Sequence, residues 1–438
     1  MSLRSYLDKR KTESIIFMDE LAAEYEIPAV IKEYDGQGPL LFDNVEGHCG
    51  HVVANICNSR ESICDALGVT VDSLHEHLAN AMENPKPCTI VDEKRTRMDL
   101  KLSEIPVLTH YQEEQGPYIT SALVYARNPS GTGGNVSYHR MDVIGEDRLS
   151  ICVQPGHLKE YIQLVKESGE DHLDISISIG NHPAVMIAAA LRPSLDVSEF
   201  DVANTLLDGG LDLIKCPDVD ALAPSEAELV LEGRILVKEE ATEGPYVCVT
   251  GTMKESKPMP VVEIVGTISR DHCIYQGLLG GGIEHRLLES IPNEVKIWSR
   301  LKSQGYDVKG VHMSPGGSSW LHGVVSIEKK TDKDPVNIIK SMFDVVPALK
   351  HAVVVDSDVN PYKMDQVEWA ISTRFQGDKD LTKYPDTYAS RLDPSSDLEN
   401  KLGCKLGFDA TIPMDKPRGE FRKGVIPTSK RVWKALKG

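Results

Sequence analysis

Residues 135–144, Asn135-Val136-Ser137-Tyr138-His139-Arg140-Met141-Asp142-Val143-Ile144, mix apolar and polar side chains, run into Gly145-Glu146-Asp147-Arg148, and return as Leu149-Ser150-Ile151-Cys152-Val153. A patterned run, a Gly-led polar turn and a second patterned run read as an antiparallel hairpin, with strands at 136–144 and 149–153. Working outward, residues 118–125 read as a preceding strand and 156–167 as a following helix. Further strands are expected at 173–179, 229–237, 246–252, 261–268 and 273–276. Many strands with one or two interposed helices imply an antiparallel barrel with insertions, over residues 106–300.

The flanks have a different rhythm. Residues 1–105 read as mixed α/β, with a helix at 13–25, strands at 39–42 and 51–56, and a helix at 73–82 that Ser73 could cap. From 301 on, strands at 308–313, 321–328 and 351–356 alternate with helices at 336–343 and 364–373. The expected class is therefore α/β (α+β). An N-terminal α/β unit (1–105), a central barrel (106–300) and a C-terminal α/β unit (301–438) suit a chain of 438 residues.

The net charge of −18 argues against nucleic acid or an anionic membrane as partner. A phosphorylated or carboxylated ligand would need a local Arg, Lys or metal. The longest apolar run, 184–191, is far too short to span a bilayer, and the first ten residues contain no apolar signal region. Nine scattered cysteines without a C-x-x-C pair fit a reducing cytoplasm. Gly131-Thr132-Gly133-Gly134 and Gly280-Gly281-Gly282 are loops that lack the spacing of a phosphate or dinucleotide fingerprint.

Asn135, His157 and Glu199 offer an amide oxygen, an imidazole and one carboxylate. That set suits Mn²⁺ or Mg²⁺ with positions left for phosphate oxygens. Taken singly, they read equally as a turn residue, a helix-start residue and a surface acid. Arg140 and Glu243 admit two readings, a carboxylate anchor with its acidic neighbour or a structural bridge across the barrel. His48 and His51 imitate a metal pair, but Gly47 and Gly50 break the helix it would need. Asp356, Asp358 and Asn360 read as a turn at a strand end.

In matching order, the chain also carries Leu41-Phe42-Asp43-Asn44, the 135–140 run, Ile179-Gly180-Asn181-His182-Pro183-Ala184 and Leu195-Asp196-Val197-Ser198-Glu199. Residues 224–233, Glu243-Gly244-Pro245-Tyr246, 355–360, 369–374 and 403–411 continue the series. Together these resemble the UbiD-type decarboxylases, which use prenylated FMN. The resemblance implies a split antiparallel β-barrel of flavin-binding type at the centre. It assigns Mn²⁺ to Asn135, His157 and Glu199, with K⁺ as a further candidate ion. Cofactor contacts are implied for Ser137, Tyr138, His139, Arg140 and Gln154, and a phosphate contact for Lys405. Arg140 and Glu243 take the places of the family's arginine and first acid. A flavin prenyltransferase as cofactor supplier and a homo-oligomer are also implied.

One position departs from the family pattern. The usual second acid, five residues after the Glu of Glu-Gly-Pro, is here Cys248. Either the thiol donates the proton, or Glu243 or a water does, or the match slips locally; the second reading is preferred, since a buried Glu can titrate near neutrality. The implied reaction is reversible, redox-neutral loss of CO₂ from an α,β-unsaturated acid. The compact archaeal-type members point to trans-anhydromevalonate 5-phosphate, giving isopentenyl phosphate in a modified mevalonate pathway. Aromatic acids such as 4-hydroxybenzoate derivatives are the alternative substrates. A phosphorylated substrate needs a second basic site, for which His285 and Arg286 are candidates. The rival classes are a non-catalytic flavin-binding homologue and a metal-dependent phosphohydrolase.

Overall fold

The computed structural model describes residues 1–92, 97–98, 101–131, 133–194 and 196–424. Thr132 of the glycine loop, Leu195 of the 195–199 motif and the end of the C-terminal unit from 425 lie outside the described residues.

At the centre is a nine-stranded antiparallel sheet. Its order is Tyr118–Ile119, Met141–Val143, Arg148–Ile151, Lys257–Ser269, Leu229–Glu243, His172–Ile179, Leu123–Arg127 and Gly134–Tyr138, with Arg97–Met98 beside Lys257–Ser269. The two ends of this order are halves of one hairpin. Leu123–Arg127 pairs with Gly134–Tyr138, while Tyr118–Ile119 pairs with Met141–Val143. Each half joins an opposite edge, so the sheet curls and closes on itself. The runs 118–125 and 136–144, expected as continuous strands, are each interrupted where the chain crosses between edges, at 120–122 and at His139-Arg140. Ile119, Val124, Met141, Leu149, Ile175, Ile177, Leu231 and Val262 fill the inside.

A second core packs helices on the barrel. Pro183–Leu191 is buried almost all round, as its apolar sequence requires. Helix Ile283–Ser303 was not anticipated, because Pro292 within it reads as a breaker. Its Leu288, Ile291 and Val295 join this core, and its Ile297 and Leu301 join the core of the C-terminal sheet. That sheet runs Asp307–Met313, His322–Glu328, His351–Asp356, Leu402–Ala410, Leu381–Tyr388. Helices Asp334–Val345 and Met364–Arg374 cover its two faces.

Four further expectations need correction. Residues 13–25 contain a strand, Ile15–Leu21, in parallel register with Leu40–Val45; the β-branched and aromatic Ile15-Ile16-Phe17 run outweighs the helical spacing. The expected strand at 246–252 is extended only at Tyr246–Val247, and then turns as Gly251 N–H donates to the Cys248 carbonyl. Ser73 precedes helix Leu74–Glu83, but its hydroxyl bonds Thr70 rather than capping the helix. The strand Ile274–Gln276 pairs not with the barrel but with His51–Ala54 of the N-terminal sheet. No helix among the described residues is long and apolar enough to cross a membrane.

Candidate active site

The interruption at His139-Arg140 places Arg140 at the barrel's seam, out of the ladder. Glu243 ends the long strand Leu229–Glu243 and is fully buried. Arg140 donates from Nε to Glu243 Oε1 at 2.7 Å and from Nη2 to Oε2 at 3.1 Å. Its guanidinium lies over the Tyr246 ring, 4.4 Å from the centroid. Burial opposes the charge on Arg140, but Cys152 and Glu243 outweigh it and hold the guanidinium above its ordinary value. Tyr118 O–H donates to Glu243 Oε1, and burial beside Glu243 keeps that phenol protonated. Nη1 of Arg140 is not engaged by any described residue, and about a fifth of the side chain is exposed. The pair is thus one half of a carboxylate-binding fork with a donor to spare.

Asn135, His157 and Glu199 meet a few residues away. His157 opens helix His157–Ser168, and Glu199 opens helix Glu199–Leu206. Asn135 Nδ2 lies 2.9 Å from Glu199 Oε1 and 3.2 Å from His157 Nδ1, while Val136 N–H donates to Glu199 Oε2 at 2.8 Å. Burial pushes the Glu199 carboxyl up to about 7. A hydrogen-bond chain then leads to Arg140. Ser137 Oγ is 2.9 Å from Asn135 Oδ1 and 3.0 Å from His139 Nε2, and His139 Nδ1 is 2.9 Å from the Cys152 carbonyl. Cys152 N–H in turn donates to the Arg140 carbonyl.

That chain tests whether a cation fits. Burial holds His139 down at about 4, so its ring is neutral at pH 7. A carbonyl only accepts, so Nδ1 carries the proton and Nε2 must accept from Ser137. Ser137 then has no proton left for Asn135 Oδ1. With the amide turned over, Nδ2 would donate to Ser137 and Oδ1 would stand against Glu199 and His157, an all-acceptor arrangement that a cation between them would satisfy. Amide oxygen, imidazole and carboxylate would then face one point, which is a divalent-cation donor set. Among the described residues no three His, Cys, Asp or Glu side chains converge as a metal site, so the amide is needed to complete this one.

Other candidates are placed elsewhere. Lys405 is not brought to the cluster. Its ammonium donates to the Pro347 carbonyl and lies over Phe343, within the C-terminal unit. Gln154 is exposed and donates to Cys152 Sγ. Tyr138 has a buried hydroxyl without a hydrogen-bond partner. Cys248 Sγ is 2.7 Å from Thr250 Oγ1, inside its own turn. Burial pushes the thiol up, but Thr250 and Thr252 more than offset it, leaving it below its ordinary value. His285 accepts from Gly281 N–H through Nδ1 and is held at about 4 by burial, Arg140 and Arg286, so it is not a cation at neutral pH. His48 and His51 bond separate carbonyls, of Glu104 and Asp43. Asp356 and Asp358 are tied to Arg374.

The segment 280–282 explains its glycines. A Cβ on Gly280 would stand 2.8 Å from the Val247 carbonyl, and Gly281 has φ +72° with the Cys248 carbonyl 3.2 Å from where its Cβ would be. The loop thereby packs against the Tyr246–Cys248 segment.

Comparison with known proteins identifies the chain's relatives. Residues 8–82, 80–283 and 286–410 match the N-terminal, Rift-related and C-terminal domains of 3-octaprenyl-4-hydroxybenzoate carboxy-lyase, the UbiD domains. The chain belongs to the UbiD family. It is 38% identical over 416 residues to the anhydromevalonate phosphate decarboxylase of Methanothermobacter thermautotrophicus, covering 94% of this chain and 97% of that one. The UbiD-class enzyme HmfF from Pelotomaculum thermopropionicum, solved with FMN, superposes with a TM-score of 0.94 at 37% identity over 98% of both chains. An evolved dimeric form of HmfF, solved with prFMN, gives 0.90 at 35% identity over 97% of both. Within the UbiD fold, Asn135 and Arg140 occupy one hairpin strand and its immediate continuation, and His157 and Glu199 join Asn135 from two helix starts.

Proposed function

We propose that this UbiD protein is a prenylated-FMN- and Mn²⁺-dependent decarboxylase. Its best-supported substrate is trans-anhydromevalonate 5-phosphate, with isopentenyl phosphate and CO₂ as products. The observation that carries the reading is the Arg140–Glu243 pair at the barrel seam, with Nη1 uncommitted, joined by hydrogen bonds to a cation-competent cluster at Asn135. The archaeal relatives' names support the substrate.

Asn135, His157 and Glu199 would hold the metal and, through it, the cofactor's phosphate. When bound, the prenylated flavin supplies the electron sink that makes loss of CO₂ feasible. The protein does the rest. Arg140 Nη1 binds the substrate carboxylate, and Tyr246 fixes the guanidinium plane. Glu243 keeps Arg140 oriented, so the fork is preformed. As CO₂ leaves, the carboxylate charge leaves Arg140, and Glu243 is positioned to supply the proton that replaces it. Arg286 is half-buried, reaches only the Val249 carbonyl at 3.4 Å and has no carboxylate partner among the described residues. With His285 neutral, Arg286 is the cation of that candidate pair for a phosphate at the far end. A homo-oligomer and loading by a flavin prenyltransferase belong to the same reading.

Co-production with a flavin prenyltransferase, followed by mass analysis of the released cofactor and CO₂ measurement with trans-anhydromevalonate 5-phosphate, tests it. A prenylated-FMN mass with CO₂ release is expected. Bound cofactor without turnover on this or any aromatic acid would instead favour a binding homologue, and phosphate release without flavin a phosphohydrolase.

A further inference from the structure

Behind Glu243 lie three buried titratable side chains that the mechanism above does not use. Asp142 is 1% exposed, and its Oδ2 has no hydrogen-bond partner. Glu114 accepts from the His110 and Tyr111 N–H groups through Oε2, leaving Oε1 buried and unpartnered. Both ring nitrogens of His110 are buried without a hydrogen bond, Nδ1 lying 3.6 Å from Glu114 Oε2. Buried polar atoms are normally satisfied, so this concentration requires an explanation.

The topology connects them to the site. Asp142 stands directly opposite Tyr118 in the antiparallel ladder, so the two side chains leave the same face with Cβ atoms about 5 Å apart. Tyr118 donates to Glu243. The backbone closes from Tyr118 N–H onto the Leu108 carbonyl, and the loop between carries His110 and Glu114. Gln112, Glu113 and Gln115 of that loop are exposed. Asp142 also feels the charges of both Glu243 and Glu114, so these ionisable groups cluster between that loop and the acid beside Arg140.

We infer that Asp142 and Glu114, with His110, form a buried proton relay that reloads Glu243 through Tyr118 after each turnover. This rests on the decarboxylase reading. The balance is simple. The bond from carbon to CO₂ breaks, its electron pair stays on carbon, and the Glu243 carboxyl proton goes to that carbon. Glu243 recovers a proton from Tyr118 as Tyr118 takes one from Asp142, so the phenol is never left ionised, and Asp142 is refilled from solvent by way of Glu114 and His110. One proton enters for each CO₂ released, and nothing is oxidised or reduced. Cys248 need not be an acid, which accounts for a thiol in that position. Burial, with Glu243 and Glu114 as like-charged neighbours, pushes the Asp142 carboxyl up to about 7, so it can hold a proton at working pH. Tyr118, opposite in the ladder, is the further ionisable group that faces it.

The test uses Asp142→Asn and Glu114→Gln in the cofactor-loaded protein. Asp142→Asn should lower kcat about 10- to 100-fold with KM within twofold. It should also flatten the kcat–pH profile near 7 and raise the thermal midpoint of the cofactor-free protein at pH 8 but not at pH 4. Asp142→Glu should restore much of kcat. Glu114→Gln should act in the same direction and decides the matter if Asp142→Asn does not fold. Unchanged kcat and pH profile would overturn the relay. So would a slowed enzyme whose midpoint falls at pH 8, since that marks a structural acid. Wild-type protein that releases no CO₂ would overturn the decarboxylase reading instead; the midpoint comparison needs neither cofactor nor substrate and still judges Asp142.

Discussion

Arg60–Glu294 and Arg140–Glu243 are both buried arginine–glutamate pairs beneath a tyrosine ring, yet their surroundings differ. Glu294 accepts from Arg60 Nη2 at 2.7 and 2.6 Å, from the Met313 N–H at 2.8 Å, and faces His75 at 3.0 Å and His312 at 3.4 Å. Burial pushes its carboxyl up, but Arg60, His312 and His75 hold it well below its ordinary value. It joins helix Arg60–Leu67, helix Leu74–Glu83, helix Ile283–Ser303 and strand Asp307–Met313, and both its oxygens are engaged, although Arg60 Nη1 is buried without a partner. Arg140–Glu243 has a spare nitrogen toward the site and a partly unsatisfied acid, Asp142, behind it. A carboxylate ringed by four residues marks the pair that holds elements together, and a guanidinium 21% exposed, against 7% for Arg60, marks the pair that can meet substrate.

The contrast can be broken most strongly at Glu294. Glu294→Ala leaves Arg60 buried without its counter-charge and should cost about 3–5 kcal/mol in a denaturant titration, while the folded fraction keeps its kcat. Equal stability would remove the structural assignment.

Asp142→Asn should move stability the other way. Its folded carboxyl titrates at about 7, above the unfolded value, so the native state keeps a proton that the unfolded chain gives up. The contribution is fully present below pH ~4 and is lost as pH rises through about 7. A permanently neutral Asn should therefore stabilise the protein above pH 7 by roughly 2–4 kcal/mol and change little near pH 4.

Two smaller tests sharpen the walls of the site. Gly281→Ala forces a side chain to φ +72° against the Cys248 carbonyl and should cost about 1–2 kcal/mol, read as a shifted denaturation midpoint. Cys248→Ser should leave kcat within about twofold, because the thiol is held by Thr250 and Thr252. A large loss would restore Cys248 as the acid.

Much of this was legible in the chain. The Asn135–Arg140 run marked the hairpin, and the order of motifs marked the family. The split at His139-Arg140 was not legible, because alternation continues across a break that only ladder closure imposes. Asp142 was missed although an acid between Met141 and Val143 in a strand is a visible signal of a buried charge. Glu114 and His110 could not be seen as neighbours, since Tyr118 brings their loop to Glu243 only in the folded barrel. Lys405 matched a motif, and nothing in the sequence signalled that its ammonium bonds the Pro347 carbonyl.

The central claim is a division of labour between Arg140 and the Asn135 cluster. It is tested by co-producing wild type, Arg140→Ala and Glu199→Ala with a flavin prenyltransferase, then measuring bound Mn²⁺, bound cofactor and CO₂ release. Arg140→Ala should retain metal and cofactor yet lose at least about 10³-fold in turnover, while Glu199→Ala should lose all three. Normal turnover by Arg140→Ala, or full cofactor loading by Glu199→Ala, would contradict the account.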